Sequence, residues 1–233
     1  MIGSSLIFNR YDKQVAASVH NNGHTIKIEF TDGPDDDIWI NGGGLSLTKF
    51  EFAQAHFHWG EIDNKGSEHL IDGQSFPMEM HLVHWNLDVG QTLKEAVEKD
   101  TGISLHVLGV HFKIGKKNAK FKSLFEAAKK VRYQNQSKTI DNGIRLYDLL
   151  PLNRDAFYRY KGSLTTPGCN EVVLWTIFKE KVEISKEQME IMRNTTYIHN
   201  GEVERMYNNF RKVKFQYDRE VIDVEPQEGN KSK

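Results

Sequence analysis

The sequence predicts a mainly β protein of the α+β class. Three observations lead there: short alternating runs dominate the chain, helical periodicity is confined to two short stretches, and no repeat, low-complexity tract or Pro/Ser-rich linker divides it. His24–Phe30 sets Ile26, Ile28 and Phe30 on one face and Thr25, Lys27 and Glu29 on the other, the period-two signature of a strand. Phe52–Gly60, Met78–Asn86, Leu105–Phe112 and Val172–Phe178 are further runs rich in Val, Ile, Phe and Trp, bounded by turn residues. Over Ala119–Val131, Phe121, Leu124, Phe125 and Ala128 recur at helical spacing and predict an amphipathic helix. Ser185-Lys186-Glu187-Gln188 reads as a capping box opening a short helix that carries Met189 and Met192. The acidic turn Asp32–Asp37 lacks the spacing of a calcium loop and reads as a solvated surface turn.

Composition narrows the function classes. At 233 residues one large domain is the simplest organisation, and such a chain buries roughly 70–75% of its unfolded surface. Lys and Arg (31) nearly balance Asp and Glu (32), which argues against nucleic-acid binding through bulk positive charge. No apolar run approaches the ~20 residues that cross a bilayer, and Met1-Ile2-Gly3-Ser4-Ser5 has neither the basic nor the apolar region of a signal peptide. The single cysteine, Cys169, excludes an internal disulfide framework and any multi-cysteine metal site.

The histidines carry the chemistry. His56, His58, His69, His81 and His84 fall in one short stretch. Strand alternation puts Gln54, His56 and His58 on one side and Ala53, Ala55, Phe57 and Trp59 on the apolar other. Two imidazoles on one strand face stand roughly 6.5–7 Å apart, a spacing that suits two ligands of one metal ion. His-x-His alone is a weak signal. In the run Glu79–Trp85, however, Glu79, His81 and Val83 share a face opposite to Met80, Leu82 and His84. A metal-bound imidazole passes its other N–H to an oxygen acceptor, and Gln54 and Glu79 are spaced to serve His56 and His81 in that way. Three imidazoles without a fourth protein ligand describe an open, catalytic zinc site. The competing reading is a cupin-type oxygenase, with Glu61 as the carboxylate after the His-x-His pair; its spacing is short, and Gly60 breaks the strand.

The runs Asn21-Asn22-Gly23-His24, Ala55-His56-Phe57-His58-Trp59-Gly60, Gly66-Ser67-Glu68-His69, Glu79–Trp85 and Gly162-Ser163-Leu164-Thr165-Thr166-Pro167 resemble, in order and spacing, the α-class carbonic anhydrases. The resemblance extends from about Leu6 to Arg219. It implies one such domain over residues 1–233, with its core at about 6–219 and the family's leading segment, which holds Tyr-Gly and Gln-Ser-Pro-Ile motifs, missing. It implies a large, mostly antiparallel mixed sheet with short surface helices and a zinc ion at the bottom of a conical cleft. The implied activity is zinc-dependent reversible hydration of carbon dioxide to bicarbonate and a proton; the alternative is a catalytically silent binding or matrix relative.

By the same resemblance, Zn2+ is held by His56, His58 and His81. Thr165 accepts the hydrogen of the attacking hydroxide and donates its own to Glu68. Thr166 contacts substrate, Val83, Val107, Leu164 and Trp175 form an apolar wall for CO2, and His24 carries protons out, as an imidazole titrating near neutrality can. His69 and His84 are expected to be buried structural residues, and His20, His106, His111 and His199 to have no catalytic part. The implied partners are CO2 and bicarbonate, with no nucleic acid and no sign of membrane association. Cys169 stands where secreted members carry half of a disulfide, with a free thiol as the other reading. With the sequons Asn135-Gln136-Ser137 and Asn194-Thr195-Thr196 it points to a secreted glycoprotein as parent, a cytoplasmic location being the alternative.

Overall fold

The alternating runs become strands of one long sheet. The computed structural model describes residues 5–226, apart from residues 34, 36, 43, 44 and 100 and the side chains of 45–47. The strands are β1 (Leu6–Asn9), β2 (Ala17–Asn21), β3 (Ile26–Phe30), β4 (Trp39–Gly42), β5 (Leu45–Trp59), β6 (Met78–Asn86) and β7 (Leu105–Ile114). They continue with β8 (Ser137–Thr139), β9 (Phe157–Gly162), β10 (Val173–Phe178), β11 (Val182–Ile184), β12 (Thr196–His199), β13 (Glu202–Arg205) and β14 (Ile222–Val224). Among the described residues three short α-helices accompany them: α1 (Leu93–Lys99), α2 (Lys122–Lys130) and α3 (Lys186–Arg193). The main sheet runs β14-β9-β10-β7-β6-β5-β3-β2-β8, with β4 paired to β5, β1 paired to β4 and β11 beside β7, while β12 and β13 form a separate hairpin. Among the described residues only the β7–β10 and β7–β11 pairs are parallel, so the sheet is mixed and mostly antiparallel, as expected.

The sheet centre divides two apolar clusters. On one face Ala55, Phe57, Trp59, Met80, Leu82, Leu108 and Val110 pack with Phe121, Leu124, Phe125 and Ala128 of the α2 region and with Met189 and Met192 of α3. On the other, Val83, Trp85, Leu105, Val107, Val173 and Trp175 form a smaller cluster around Ala96 of α1. All nine residues of β6 are buried, because this strand is covered on both faces.

Two sequence expectations shift. Register breaks between Phe52 and Gln54, a bulge that inverts the side-chain alternation within β5. Ala53 therefore joins the second cluster and not the face of Ala55, Phe57 and Trp59. The same inversion hides Leu45–Glu51 from a period-two reading, although they are the first half of β5. The predicted helix over Ala119–Val131 divides into a 3₁₀ turn, Ala119–Phe121, capped by the Asn118 side chain, and α2. Helix α1 has no counterpart among the sequence expectations; it buries only Ala96, too little to leave a helical stripe. The capping box forms as read: Ser185 Oγ accepts from Gln188 N at 3.3 Å and Gln188 Oε1 from Ser185 N at 3.1 Å. In the acidic turn, Asp35 and Asp37 pair with Lys13 and Arg10, while residues 34 and 36 lie outside the described residues.

A buried polar chain runs through the first cluster. Tyr11 Oη meets His84 Nε2, His84 Nδ1–H donates to His106 O at 3.0 Å, and His106 Nε2 meets Thr176 Oγ1 at 2.8 Å. Burial pushes His84 down to about 3 and holds His106 well below the ordinary imidazole value. Both are neutral when folded, whereas the unfolded chain takes up their protons near pH ~6.5. Stability is therefore full above that pH and falls as pH drops toward about 3, by about 1.4 kcal/mol per pH unit for each such group. Urea unfolding from pH 7 to pH 5 should show this acid loss, and His84→Gln should make it shallower; equal slopes for the two proteins would refute it.

Candidate metal centre

Gln54, His56 and His58 leave β5 on the side away from the larger core, and Glu79 and His81 leave β6 on that same side. Register places His56 directly across from His81, and His58 across from Glu79. On β7, Gly109 faces His81. A Cβ at Gly109 would stand 2.5 Å from Ile177 Cδ1 and 3.3 Å from Glu79 Oε1, so glycine is what lets the carboxylate lie against this strand.

Each ring is held from behind. His56 Nδ1 contacts Gln54 Oε1 at 3.0 Å, His58 Nδ1–H donates to the Asn209 carbonyl at 2.8 Å, and His81 Nε2–H donates to Glu79 Oε1 at 2.7 Å. These bonds leave His56 Nε2, His58 Nε2 and His81 Nδ1 as the free nitrogens. Ring centroids lie 5.0, 5.2 and 4.7 Å apart, and one donor nitrogen from each ring falls within 4.8 Å of the others. His58 Nε2 is buried without any hydrogen-bond partner, an orphan that a cation would satisfy. Burial, with the neighbouring rings, keeps His56 well below the ordinary imidazole value, and burial lowers His58 too. Neutral rings present lone pairs, as metal ligation requires. Three imidazoles converging in this way fit a divalent cation with one further position open.

Glu79 is wholly buried and gathers the second tier of the site. Its Oε1 also accepts from His69 Nδ1–H at 2.6 Å, and its Oε2 accepts from the backbone N–H groups of Glu68 and His69 at 2.9 and 2.8 Å. Burial alone would raise this carboxyl, but the imidazoles of His69, His111 and His81 outweigh burial and hold it well below the usual carboxylate range. For His69, burial acts downward and the Glu79 charge upward; the charge wins and the ring is raised. His69 Nε2 meets Tyr160 Oη at 2.6 Å, so Tyr160, His69, Glu79 and His81 form one chain. His69, Glu79 and His81 also lie close enough to be a second donor group, but they already bond to one another.

The remaining expected residues surround this centre. Val83, Val107 and Trp175 are buried in the second cluster, and Leu164 packs against it; the Trp175 ring lies 4.7 Å from that of His81. Glu68 is buried: its Oε1 accepts from Arg211 N at 2.6 Å, and its Oε2 has no hydrogen-bond partner and stands 4.0 Å from His81 Nδ1. Among the described residues no hydrogen bond joins Thr165 to Glu68. Arg211 bridges the two segments, reaching Ser163 Oγ at 3.4 Å and the Leu164 carbonyl at 3.5 Å. Thr165 is half-buried and Thr166 exposed. His24 is exposed at the end of the turn made by Gly23, and Asn209 Nδ2 donates to its carbonyl at 3.0 Å. Cys169 is a free thiol. Glu61 is exposed and belongs to neither donor group, which removes the carboxylate that a cupin-like centre needs. Asn209, Arg211 and Tyr160 were not anticipated from the sequence: Asn209 meets the His58 ring through its main-chain carbonyl and Arg211 meets Glu68 through its main-chain N–H, groups whose presence does not depend on the side chain.

A sheet-borne trio of back-bonded imidazoles beside an apolar wall defines a candidate metalloenzyme centre. The family described as eukaryotic-type carbonic anhydrase matches residues 3–225. Carbonic anhydrase 4 of Rattus norvegicus is 36% identical over 218 residues, covering 92% of this chain and 68% of that protein. Carbonic anhydrase 7 of Mus musculus is 37% identical over 202 residues, covering 86% of this chain and 74% of that protein. The mitochondrial carbonic anhydrase 5B of Homo sapiens is 36% identical over 207 residues, covering 87% of this chain and 62% of that protein. The chain belongs to the carbonic anhydrase family of enzymes.

Breaking the Glu79 cluster should unfold more than a local contact. Glu79→Ala leaves the His81, His69 and Glu68 donors buried and unpaired, at a cost of roughly 3–5 kcal/mol. Chemical denaturation of the metal-free protein measures this, and a loss of under ~1 kcal/mol, the scale of an exposed ion pair, would show the cluster to be dispensable.

Proposed function

We propose that this protein is a zinc-dependent carbonic anhydrase that interconverts carbon dioxide with bicarbonate and a proton. The observation that carries the reading is the buried, partnerless Nε2 of His58, facing the free nitrogens of His56 and His81 inside a family whose name is its reaction. Zinc, when bound, acts as a Lewis acid that readies water for attack near neutral pH, as in carbonic anhydrases generally.

The protein's own residues do the rest. Gln54, the Asn209 carbonyl and Glu79 fix the tautomer of each ligand ring and aim its lone pair. Val83, Val107, Leu164 and Trp175 offer CO2, which is apolar, a dry wall without hydrogen-bond competition. Glu68 keeps Oε2 without a hydrogen-bond donor; once Thr165 Oγ1 turns to donate its proton there, it has only lone pairs left to accept the nucleophile's hydrogen, so the nucleophile's own lone pair turns to carbon. Thr166, beside it, contacts the substrate oxygen. His24 stands in solvent and carries the released proton to buffer. A secreted location belongs to the same proposal. It rests on the sequons at Asn135, which is exposed, and Asn194.

Stopped-flow CO2 hydration with a pH indicator, run with metal analysis on the same sample, tests the reading. The expected result is one zinc per chain and hydration well above buffer, with both lost in His81→Ala. Thr165→Val should keep its zinc and lose roughly 10²-fold in kcat/KM, as expected when one preorganised hydrogen-bonding group is removed from a transition state. A chain with no zinc and no rate above buffer would be a catalytically silent member of the family.

A further inference from the structure

His111 is wholly buried, and the hydration chemistry gives it no task. It lies on β7 directly across from Glu79, so Glu79 has a histidine opposite it on each neighbouring strand, His58 on β5 and His111 on β7. His111 Nε2 is 3.2 Å from the His69 carbonyl and 3.3 Å from Glu79 Oε2. Both neighbours only accept hydrogen bonds, so Nε2 must carry the ring proton. Nδ1 is buried without a hydrogen-bond partner, so every polar contact of the ring is made through Nε2. The other side of the ring packs on Phe76, with centroids 4.5 Å apart.

The consequence lies one residue further in. The carboxylate of Glu79 is planar, so fixing Oε2 fixes where Oε1 points. Two backbone N–H groups from residues 68 and 69 already reach Oε2, and His111 ties the same oxygen and the His69 carbonyl to β7. Oε1 is thereby kept on His81 Nε2, which orients His81 Nδ1 toward the other two ligand nitrogens.

We propose that His111 is a positioning residue for the metal: its Nε2–H clamps Glu79 and the His69 carbonyl together and so holds His81 in its ligating orientation. This rests on the reading that His56, His58 and His81 hold zinc. The clamp acts on retention of the ion, because a ligand ring free to swing lets go of the ion sooner. Outer hydrogen-bond partners of ligand histidines typically affect metal affinity 10–100-fold.

The experiment follows zinc release from the loaded, full-length protein into excess chelator, read by the chelator's absorbance, for wild type, His111→Phe and His111→Gln. Phenylalanine keeps the packing on Phe76 and loses the N–H; glutamine keeps an N–H donor and loses the ring. The expected order is wild type slowest, His111→Gln intermediate and His111→Phe fastest, by roughly tenfold or more over wild type. If packing alone mattered, His111→Phe would hold zinc as wild type does and His111→Gln would release it faster, and that result overturns the proposal. Wild type supplies a reading that needs no variant to fold: long-range proton–nitrogen NMR spectra should show His111 as the Nε2–H tautomer, and an Nδ1–H tautomer overturns the clamp. A wild-type chain that takes up no zinc overturns the metal-centre reading and the clamp with it, whereas a zinc-holding chain with the wrong release order or tautomer overturns the clamp alone.

Discussion

A carboxylate placed wholly inside a protein must be surrounded by donors or give up its charge, and Glu79 is surrounded. Two backbone N–H groups and the rings of His69 and His81 bond to it, and His111 stands at its remaining side. Those donors come from the 68–69 loop, β6 itself and β7, so one buried charge fixes how three segments meet. A single carboxylate with this many charge-assisted partners has a narrow range of acceptable orientations. The position of His81 follows from that range, and so does the shape of the centre, because His56 is registered directly against His81.

The sheet makes such a cluster affordable by separating it from the larger core. On the face turned toward α2 and α3, the same strands carry Phe57, Trp59, Met80 and Leu82, which fill an apolar layer. That layer holds its own polar thread, Tyr11, His84, His106 and Thr176, with Arg159 donating to the Thr176 hydroxyl. It contributes no metal ligand. It does cross β6, β7 and β10 behind the site, and so helps to lock the register of the strands that carry His81, Gly109 and Trp175. Rigid strands keep ligand nitrogens in place better than loops would, since a packed strand admits few alternative rotamers.

Much of the site was legible in the sequence because strand alternation is a local code. Gln54, His56 and His58 lie below the bulge, where period two holds, and Glu79, His81 and Val83 keep it throughout β6. The bulge at Phe52–Gln54 is where that code fails, and it cost both the first half of β5 and the placing of Ala53. Contacts made through the backbone leave no such trace. Asn209 supplies a carbonyl to a ring 151 residues away, and Arg211 supplies an amide to Glu68 across 143 residues. His111 was visible as a histidine, but its meaning comes from facing Glu79 in the β6–β7 register, which one strand read alone does not disclose. The roles given to His24, Glu68, Thr165 and Thr166 came from family likeness, since a lone histidine after glycine or a Thr-Thr pair in a turn has no chemistry fixed by spacing.

Three rings turned nitrogen toward nitrogen are a poor arrangement on their own account. Their dipoles oppose one another, and His58 Nε2 has lost water without gaining a partner. The surrounding bonds hold the rings there regardless: the Gln54 amide, the Asn209 carbonyl and the Glu79 carboxylate each fasten one ring from outside. The fold therefore keeps locally unfavourable geometry in a region whose stability comes from elsewhere, which is the usual relation between a site and its scaffold. A cation at the meeting point reverses the sign of that local term, because each opposed lone pair becomes a bond and the orphaned nitrogen is satisfied. Any ion that binds the folded chain and not the unfolded one stabilises the fold by mass action. On the proposed reading, metal retention and fold stability are two measures of one network, joined at Glu79.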